Sequence, residues 1–473
     1  MLDLNLYEIK SKMDAKFLKE GTCLEFTRVS TDTRDISLND IFIALKGPNF
    51  NGNDYVLDAI NKGASLCIVD EHIDITNLNV PNNVSILKVN DSVKSLGKLA
   101  KYYRNKLNIK VVGVTGSVGK TSTKDIVAAV LSSKYNVLKT RGNLNNHIGL
   151  PLMILELDPC VHIAVLEMGM NHSKEIEYLA DIARPDVAII TNIGINHIEH
   201  LGSKENILKA KMEITSYFNN NNTLIVNGDD DFLKDISESL YKTVRVSINN
   251  KPNHDINNID LCAEDIVTNE GGSTFDVLYN NIRRRFSINM PGVHNVYNFL
   301  LAMAVGKEFG IDDDSILESI ENIVKTNMRL DIIKSNGITI INDCYNASPA
   351  SMIAAIDVAI NIKGKRHICV LGTMKELGEF SKEAHIEVAE YLKNNPIDFI
   401  FTTGEHTQNY KDILSENCFY FNDKRSLISS LKREIMEGDV ILVKASRGAH
   451  FEDIVDSLEK RDSSISRFFK FNT

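Results

Sequence analysis

The stretch Val111 to Ser122, VVGVTGSVGKTS, joins a β-branched run to a glycine-punctuated turn and a Lys-Thr pair. Backbone N–H groups in such a turn, with the positive end of the helix that follows, form a cradle for phosphate oxygens. Lys120 then reaches terminal phosphates, and the Thr121 hydroxyl ligates Mg²⁺. Gly116, Ser117, Gly119, Lys120, Thr121 and Ser122 are therefore the expected nucleotide contacts. The common form G-x-x-x-x-G-K-[ST] requires glycine at position 114, where this chain has Val114. Its glycines are Gly113, Gly116 and Gly119, spelling T-G-x-x-G-K-T, a narrower pattern that points to one group of ATP users.

Three further residues stand where they could complete such a site. Glu167 ends the apolar run Ile163 to Glu167, expected beside the phosphate-loop strand, where a carboxylate can hold Mg²⁺ together with phosphate oxygens and water. Its alternative is a strand-end acid facing solvent or capping the next helix. His197 follows another buried run, Val187 to Thr191, and is a metal-ligand candidate at the same sheet edge; a hydrogen-bonded structural histidine is the alternative. In the expected helix Ser203 to Phe218, Ile207, Leu208, Ile214 and Phe218 share one face at roughly 100° per residue. Lys211 lies in the middle of that face and Lys209 nearly opposite. A lysine there either snorkels to the surface or is a desolvated amine of lowered pKa. A neutral amine can take up CO₂ as a carbamate, turning a cation into a carboxylate-like metal ligand.

Together, TGSVGKTS, the Glu-Met-Gly after a strand, the histidine about thirty residues on and the Lys-Ala-Lys-x-Glu-Ile helix resemble the Mur ligases. These are ATP-dependent amide-forming enzymes of peptidoglycan synthesis, related to folylpolyglutamate synthase. The resemblance implies that Thr121 and Glu167 serve one Mg²⁺, and that His197 and a carbamylated Lys211 share a second. It makes Lys120, Lys211, His197 and Arg329 the catalytic set, with Arg329 near the γ-phosphate.

Other stretches resemble the branch that joins D-alanyl-D-alanine to UDP-N-acetylmuramoyl-tripeptide. GNLNN, with Asn143, Asn145 and Asn146, is one substrate-side signature. The HN-x-x-N segment carries Asn295 and Asn298, whose counterparts face adenine. Asp343-Cys344-Tyr345-Asn346-Ala347-Ser348-Pro349 resembles D-S-Y-N-A-N-P, which places Asp343 at the ribose and Tyr345 and Asn346 at the substrate. Lys444 and Arg447, in VKASR, are candidates for the dipeptide carboxylate or the tripeptide; a solvated loop is their alternative. Thr33 and Arg34 stand for the uridine-side motif. The chain departs from the family pattern at Thr373 for Asp, Ala445 for Gly and His147 for Asn or Asp. It departs again at Thr31-Asp32-Thr33-Arg34 for DSR and Asn51-Gly52-Asn53 for DGH.

The elements that must position these residues follow from the pattern of runs. Residues 1–108 read as a small α/β domain, which the resemblance implies binds the UDP-linked substrate, with strands Asp40 to Ala44 and Ser65 to Val69, helix Tyr55 to Lys62 and an outgoing helix Ser92 to Leu107. Residues 109–326 alternate buried strands with helices, which implies a mostly parallel sheet flanked by helices; the apolar helix Val296 to Phe309 packs on it. Residues 327–473 carry HICVLG, FIFTTG and DVILVKAS, strands of a Rossmann-like sheet. The expected fold is thus three α/β domains with a central P-loop ATPase. Ligands collect beyond the carboxyl ends of such strands. Closure about hinges near Asn108 and Thr326 would assemble the site.

At 473 residues the chain suits about two to four domains, at roughly 150 residues each. Its net charge of −10 argues against nucleic-acid or anionic-membrane surfaces. The seven cysteines show no C-x-x-C pair, so neither a disulfide framework nor structural zinc is expected, as suits a reducing cytoplasm. No run approaches the roughly 20 apolar residues of a spanning helix. A cytoplasmic monomer using ATP and two Mg²⁺ is the expectation. Its rivals are a sister or folylpolyglutamate-type ligase adding one amino acid, and a non-catalytic nucleotide-binding regulator. Loss of Lys120, Glu167 or Lys211 would mark the regulator, and all three are present.

Overall fold

Three large sheets and a two-stranded antiparallel one, Leu2–Asn5 with Glu25–Phe26, organise the described residues. The computed structural model describes residues 2–71, 79–237, 239–248, 259–321, 323 and 328–460. The expected boundary at 326/327 and the hinge at Thr326 lie outside the described residues.

The N-terminal sheet has five strands in the order Lys16–Lys19, Ser85–Lys88, Ala64–Val69, Asp40–Ile43, Val29–Ser30. Only its first pair is antiparallel. Every residue of Asp40–Ile43 and Ala64–Val69 is buried, the continuous apolar reading of strands covered on both faces.

The central sheet has nine strands. The phosphate-loop strand Lys110–Thr115 lies between Ile163–Glu167 and Val187–Ile190, parallel to both. Register pairs Glu167 with Val114 and Ile190 with Thr115, so the three strand ends open at one edge. Beyond Lys242–Ile248 the sheet continues through Leu261–Asn269 into two antiparallel strands, Gly272–Tyr279 and Ile282–Ile288, an extension the sequence reading did not contain. Phe275 and Phe286 on these strands pack with Phe299 of the helix Val293–Glu308. That helix begins earlier than expected: Gly292, at φ 99°, turns the chain so that His294 and Asn295 already lie in its first turn.

The C-terminal sheet has six strands, with Asp331–Ser335 antiparallel at one edge and Ile338–Asn342, Asp439–Lys444, Arg366–Leu371, Phe399–Thr403 and Cys418–Phe421 parallel.

The helix Ser92–Lys106, capped by the Asp91 side chain at Lys94 N–H, connects the first two sheets and packs on the helices Gly149–Leu155 and Glu175–Ala183 of the central domain. Tyr103 Oη donates to Leu157 O at 2.7 Å, Arg104 donates to Ala183 O at 2.9 Å and Ile109 O at 3.2 Å, and Lys101 pairs with Asp181. Gly97 is required there, because a Cβ would stand 1.9 Å from Tyr178 Oη.

The helix expected over Ser203 to Phe218 is instead a helix Lys204–Met212 followed by a 3₁₀ turn Glu213–Thr215. Its break has a visible cause. The Glu213 carboxylate turns to accept Lys174 N–H at 2.8 Å and Glu177 N–H at 3.2 Å, capping the helix Glu175–Ala183. Thr215 Oγ1 bonds Met212 O at 2.8 Å.

Candidate active site

The phosphate loop is built between two strand ends. Its helix, Lys120–Ser132, starts at Gly119, and Lys120 Nζ folds back to Gly116 O at 2.7 Å and Ser117 O at 3.3 Å. Asn192, just beyond the strand Val187–Ile190, braces the loop with both ends of its amide. Its Oδ1 accepts Val118 N–H at 2.9 Å, and its Nδ2 donates to Val118 O at 3.0 Å. Gly194 N–H donates to Ser117 Oγ at 2.8 Å, and Asp230 accepts Ile193 N–H at 2.8 Å. The turn that carries His197 is thus tied to the turn that would hold phosphate.

Glu167, 3% exposed, is the hub of the polar end. The Thr121 hydroxyl donates to its Oε2 at 2.8 Å, Asn145 Nδ2 donates to its Oε1 at 2.8 Å, and its own N–H is held by Thr140 Oγ1. Arg329, from the start of the C-terminal domain, donates to Thr121 Oγ1 at 2.9 Å and lies 4.2 Å from the Tyr345 ring centroid. Hard oxygens from Glu167 and Thr121, beside a phosphate cradle, fit Mg²⁺.

Lys211 is 1% exposed and forms no ion pair among the described residues. Burial, with Lys120 adding repulsion, pushes its ammonium well below the ordinary lysine range. Burial likewise lowers Lys120, opposed by Glu167 and Glu376 and assisted by Arg329. Snorkelling is excluded for Lys211: its amine stays inside, in a place that favours the neutral form. An uncharged buried amine suits reaction with CO₂, so the chain's residues fit a carbamate here.

Three buried polar atoms without an aligned hydrogen-bond partner line the same cleft: Asn196 Oδ1, His197 Nδ1 and Arg329 Nε. Glu376 Oε2 of the C-terminal domain lies 2.9 Å from His197 Nδ1. That carboxylate is held below its usual range chiefly by the histidine beside it. Buried groups left unpaired cost free energy, and Asn196 Oδ1 and Arg329 Nε, both on cleft-lining residues, suit the reception of a polar ligand.

The cleft has a volume of about 500 Å³ and includes Ser117, Gly119, Lys120, Thr121, Ser122, Glu167, His197, Asn295, Asn298, Arg329 and Asp343. Asn145, Asn146, Tyr345, Asn346 and Lys444 line it too. Its apolar end is closed by Met290 and Pro291 on one side and Ala350, Ala354 and Ala355 of the C-terminal helix Pro349–Asn361 on the other. Asn298 and Asn295 are joined at 3.1 Å, and Thr123 Oγ1 donates to Asn298 at 3.0 Å. His294 sits beside Asp343 and Lys444; burial lowers it to about 4.

Several expected contacts are placed elsewhere. Thr33 and Arg34 occupy an exposed 3₁₀ turn of the N-terminal domain, with Arg34 paired to Asp32, and do not enter the cleft. Asn143 is exposed outside it. Lys444 is no solvated loop residue: 2% exposed, it pairs with Asp343 at 2.5 Å and donates to Asn346 O at 2.9 Å. Arg447 is half-exposed and pairs with Glu452 at 3.0 Å. Asn192, Asn196 and His294 are among the cleft residues that the sequence reading did not select, and Glu376 reaches His197 from outside the cleft lining. Asn192 and Asn196 both precede the chosen His197 in TNIGINH, and Glu376 lies three residues after Thr373, one of the departures from the family pattern.

Three family profiles match the chain: "Mur ligase family, catalytic domain" over residues 25–104, "Mur ligase middle domain" over 114–306 and "Mur ligase, glutamate ligase domain" over 328–447. A Bacillus subtilis relative, UDP-N-acetylmuramoyl-tripeptide–D-alanyl-D-alanine ligase, is 38% identical, with 91% of this chain and 92% of the relative covered. A MurF crystal structure from Acinetobacter baumannii superposes with TM-score 0.87 at 29% identity, covering 97% of this chain and 99% of that one. MurF ligase from Thermotoga maritima, solved with ADP, gives TM-score 0.80 at 29% identity over 92% of this chain and 97% of its own.

Proposed function

The chain belongs to the Mur ligase family, and from that premise we propose that it ligates D-alanyl-D-alanine to UDP-N-acetylmuramoyl-tripeptide at the cost of ATP. The observation that carries this reading is the single cleft that joins Lys120, Thr121 and Glu167 to Arg329 and Tyr345 of another domain. A carboxylate does not condense with an amine directly, because its oxygen is a poor leaving group. Transfer of the γ-phosphoryl to the tripeptide carboxylate releases ADP and gives an acyl phosphate. The dipeptide amine then attacks the acyl carbon, a tetrahedral intermediate forms, the C–O bond to phosphate breaks and the amine loses a proton. The product is UDP-N-acetylmuramoyl-pentapeptide with inorganic phosphate.

The protein's work in this scheme is positioning and charge neutralisation. Lys120, released from Gly116 O, reaches the transferring phosphoryl, and Arg329 meets the same charge from the opposite domain. Thr121 and Glu167 would hold one Mg²⁺, and His197 with a carbamylated Lys211 the second. These ions, when bound, offset phosphate charge and orient the reacting oxygens. The neutral amine of Lys211 would add to CO₂ with loss of a proton, leaving a carbamate anion where an uncharged amine stood. Asn295 and Asn298 face the base, Asp343 the ribose, and Asn145, Asn146, Tyr345 and Asn346 the acyl side. Asn143, Thr33 and Arg34 would contact the UDP-linked substrate outside the cleft; Arg447 remains the candidate for a peptide carboxylate. The reading includes a monomer working in the cytoplasm, with domains 1–108, 109–326 and 327–473.

A substrate panel tests the proposal. ADP release with UDP-N-acetylmuramoyl-tripeptide is expected with D-alanyl-D-alanine and not with single amino acids. Turnover with one free amino acid, or with a folate acceptor, would assign the chain to a sister activity. No ADP with any acceptor would leave a nucleotide-binding regulator.

A further inference from the structure

The loop Gly372 to Gly378 leaves the strand Arg366–Leu371 and meets the short helix Ile198–Leu201, whose N-cap is His197. Its course is fixed at several points. Thr373 O accepts Ser446 N–H at 3.1 Å, Lys375 N–H donates to Ser446 Oγ at 2.9 Å, and Thr373 Oγ1 donates to Glu405 O at 3.1 Å. A further backbone donor of the loop, Met374 N–H, goes to a side chain: His385 Nε2, 3.2 Å away.

His385 lies on the helix Ser381–Lys393 and is fully buried. Its Nδ1 is 2.6 Å from Ser381 O. A carbonyl only accepts, so the ring proton sits on Nδ1 and Nε2 presents its lone pair to Met374. The ring's other neighbours are His406 and Tyr410, each 5.8 Å away between centroids, with Glu405 nearby. Burial among these groups holds the imidazole below its usual range and keeps Nε2 free to accept. Two residues beyond Met374, Glu376 adopts φ 65° and brings its carboxylate to His197 of the central domain.

We propose that His385 is a positioning residue for the ligase reaction: by accepting Met374 N–H it fixes the loop so that Glu376 reaches His197 across the domain boundary. This rests on the reading that His197 stands at the reacting end of the cleft. Without the acceptor, a buried N–H is left unpaired and the loop must move to satisfy it.

The full-length enzyme allows a test that separates this role from mere packing. Glutamine ends its amide near the level of Nε2 and asparagine near that of Nδ1, so only His385→Gln keeps an acceptor for Met374. His385→Asn is expected to lower kcat about tenfold, with affinity for a non-hydrolysable ATP analogue within about twofold and His385→Gln recovering most of the loss. In a Glu376→Gln background, the His385→Asn loss should shrink to less than about twofold, because both substitutions act on one contact. An undiminished loss in that background, or a glutamine variant no better than asparagine, would overturn the proposal. Should both variants fail to fold, ¹⁵N-histidine spectra of the wild type decide: the Nδ1–H tautomer is expected, and an Nε2–H tautomer rules the contact out. His197→Ala probes the underlying reading separately; unaltered ligation and Mg²⁺ dependence there would remove His197 from the reacting end whatever His385 does.

Discussion

Lys211 shows how much a single side chain's surroundings decide. A lysine on an apolar stripe is ordinarily a tethered surface cation, but here the amine is buried, lacks a counter-ion among the described residues and faces Lys120. Lys211→Ala is expected to lower single-turnover ligation by at least about 100-fold, with partial recovery by acetate. Undiminished ligation without supplement would sink the carbamate. Glu167→Gln keeps the shape but halves the acceptor strength beside Thr121, and the Mg²⁺ concentration for half-maximal rate should rise about tenfold. An unchanged Mg²⁺ dependence would take Glu167 out of the metal shell. Lys120, Thr121 and Lys211 were legible because each depends on local spacing: a turn before a helix, or a helical period. Glu376 and Asn192 were not selected because their roles arise from contacts with other segments. Glu376 meets a residue 179 positions away, and Asn192 braces a loop on a neighbouring strand.

At the scale of elements, strands read well and junctions less so. The runs at 111–114, 163–167 and 187–191 were continuous apolar segments and became three adjacent parallel strands. The antiparallel edge Gly272–Tyr279 and Ile282–Ile288 escaped notice because charges interrupt it: Arg283 and Arg285 both pair with Asp276 on the neighbouring strand. The helix break at Met212 was hidden for another reason, since the apolar period continues past it to Ile214 and Phe218. What ends the helix is Glu213 serving as a cap for a different helix. Glu213→Ala should therefore uncap Glu175–Ala183 and lower stability by about 1–2 kcal/mol in urea titrations. A loss confined to the Lys204–Met212 segment in hydrogen exchange would contradict that assignment.

For the molecule as a whole, the buried imidazoles set an acid limit. His294 is lowered to about 4 and His385 is lowered as well, both chiefly by burial. Between the ordinary histidine range and the lowered values, the unfolded chain binds protons that the native protein refuses. For His294 the resulting loss of stability is absent above about pH 6.5 and builds as pH falls toward 4, and His385 acts in the same direction. His294→Gln should flatten the Tm–pH curve between about pH 5 and 6.5, a window mostly above carboxylate titration; an unchanged slope there would exclude His294 as a source.

The cleft has one wall on the central domain and the other on the helix Pro349–Asn361, with Arg329 bonded across it to Thr121. The linking helix Ser92–Lys106 meanwhile pins the N-terminal domain to the helical layer of the central domain through Tyr103, Arg104 and Lys101. A ligand held in this cleft touches both walls at once, so it is expected to tie the two domains together. Slower release of labelled ADP in the presence of a compound that bridges Pro291 and Ala354 would check this; unchanged release would contradict it.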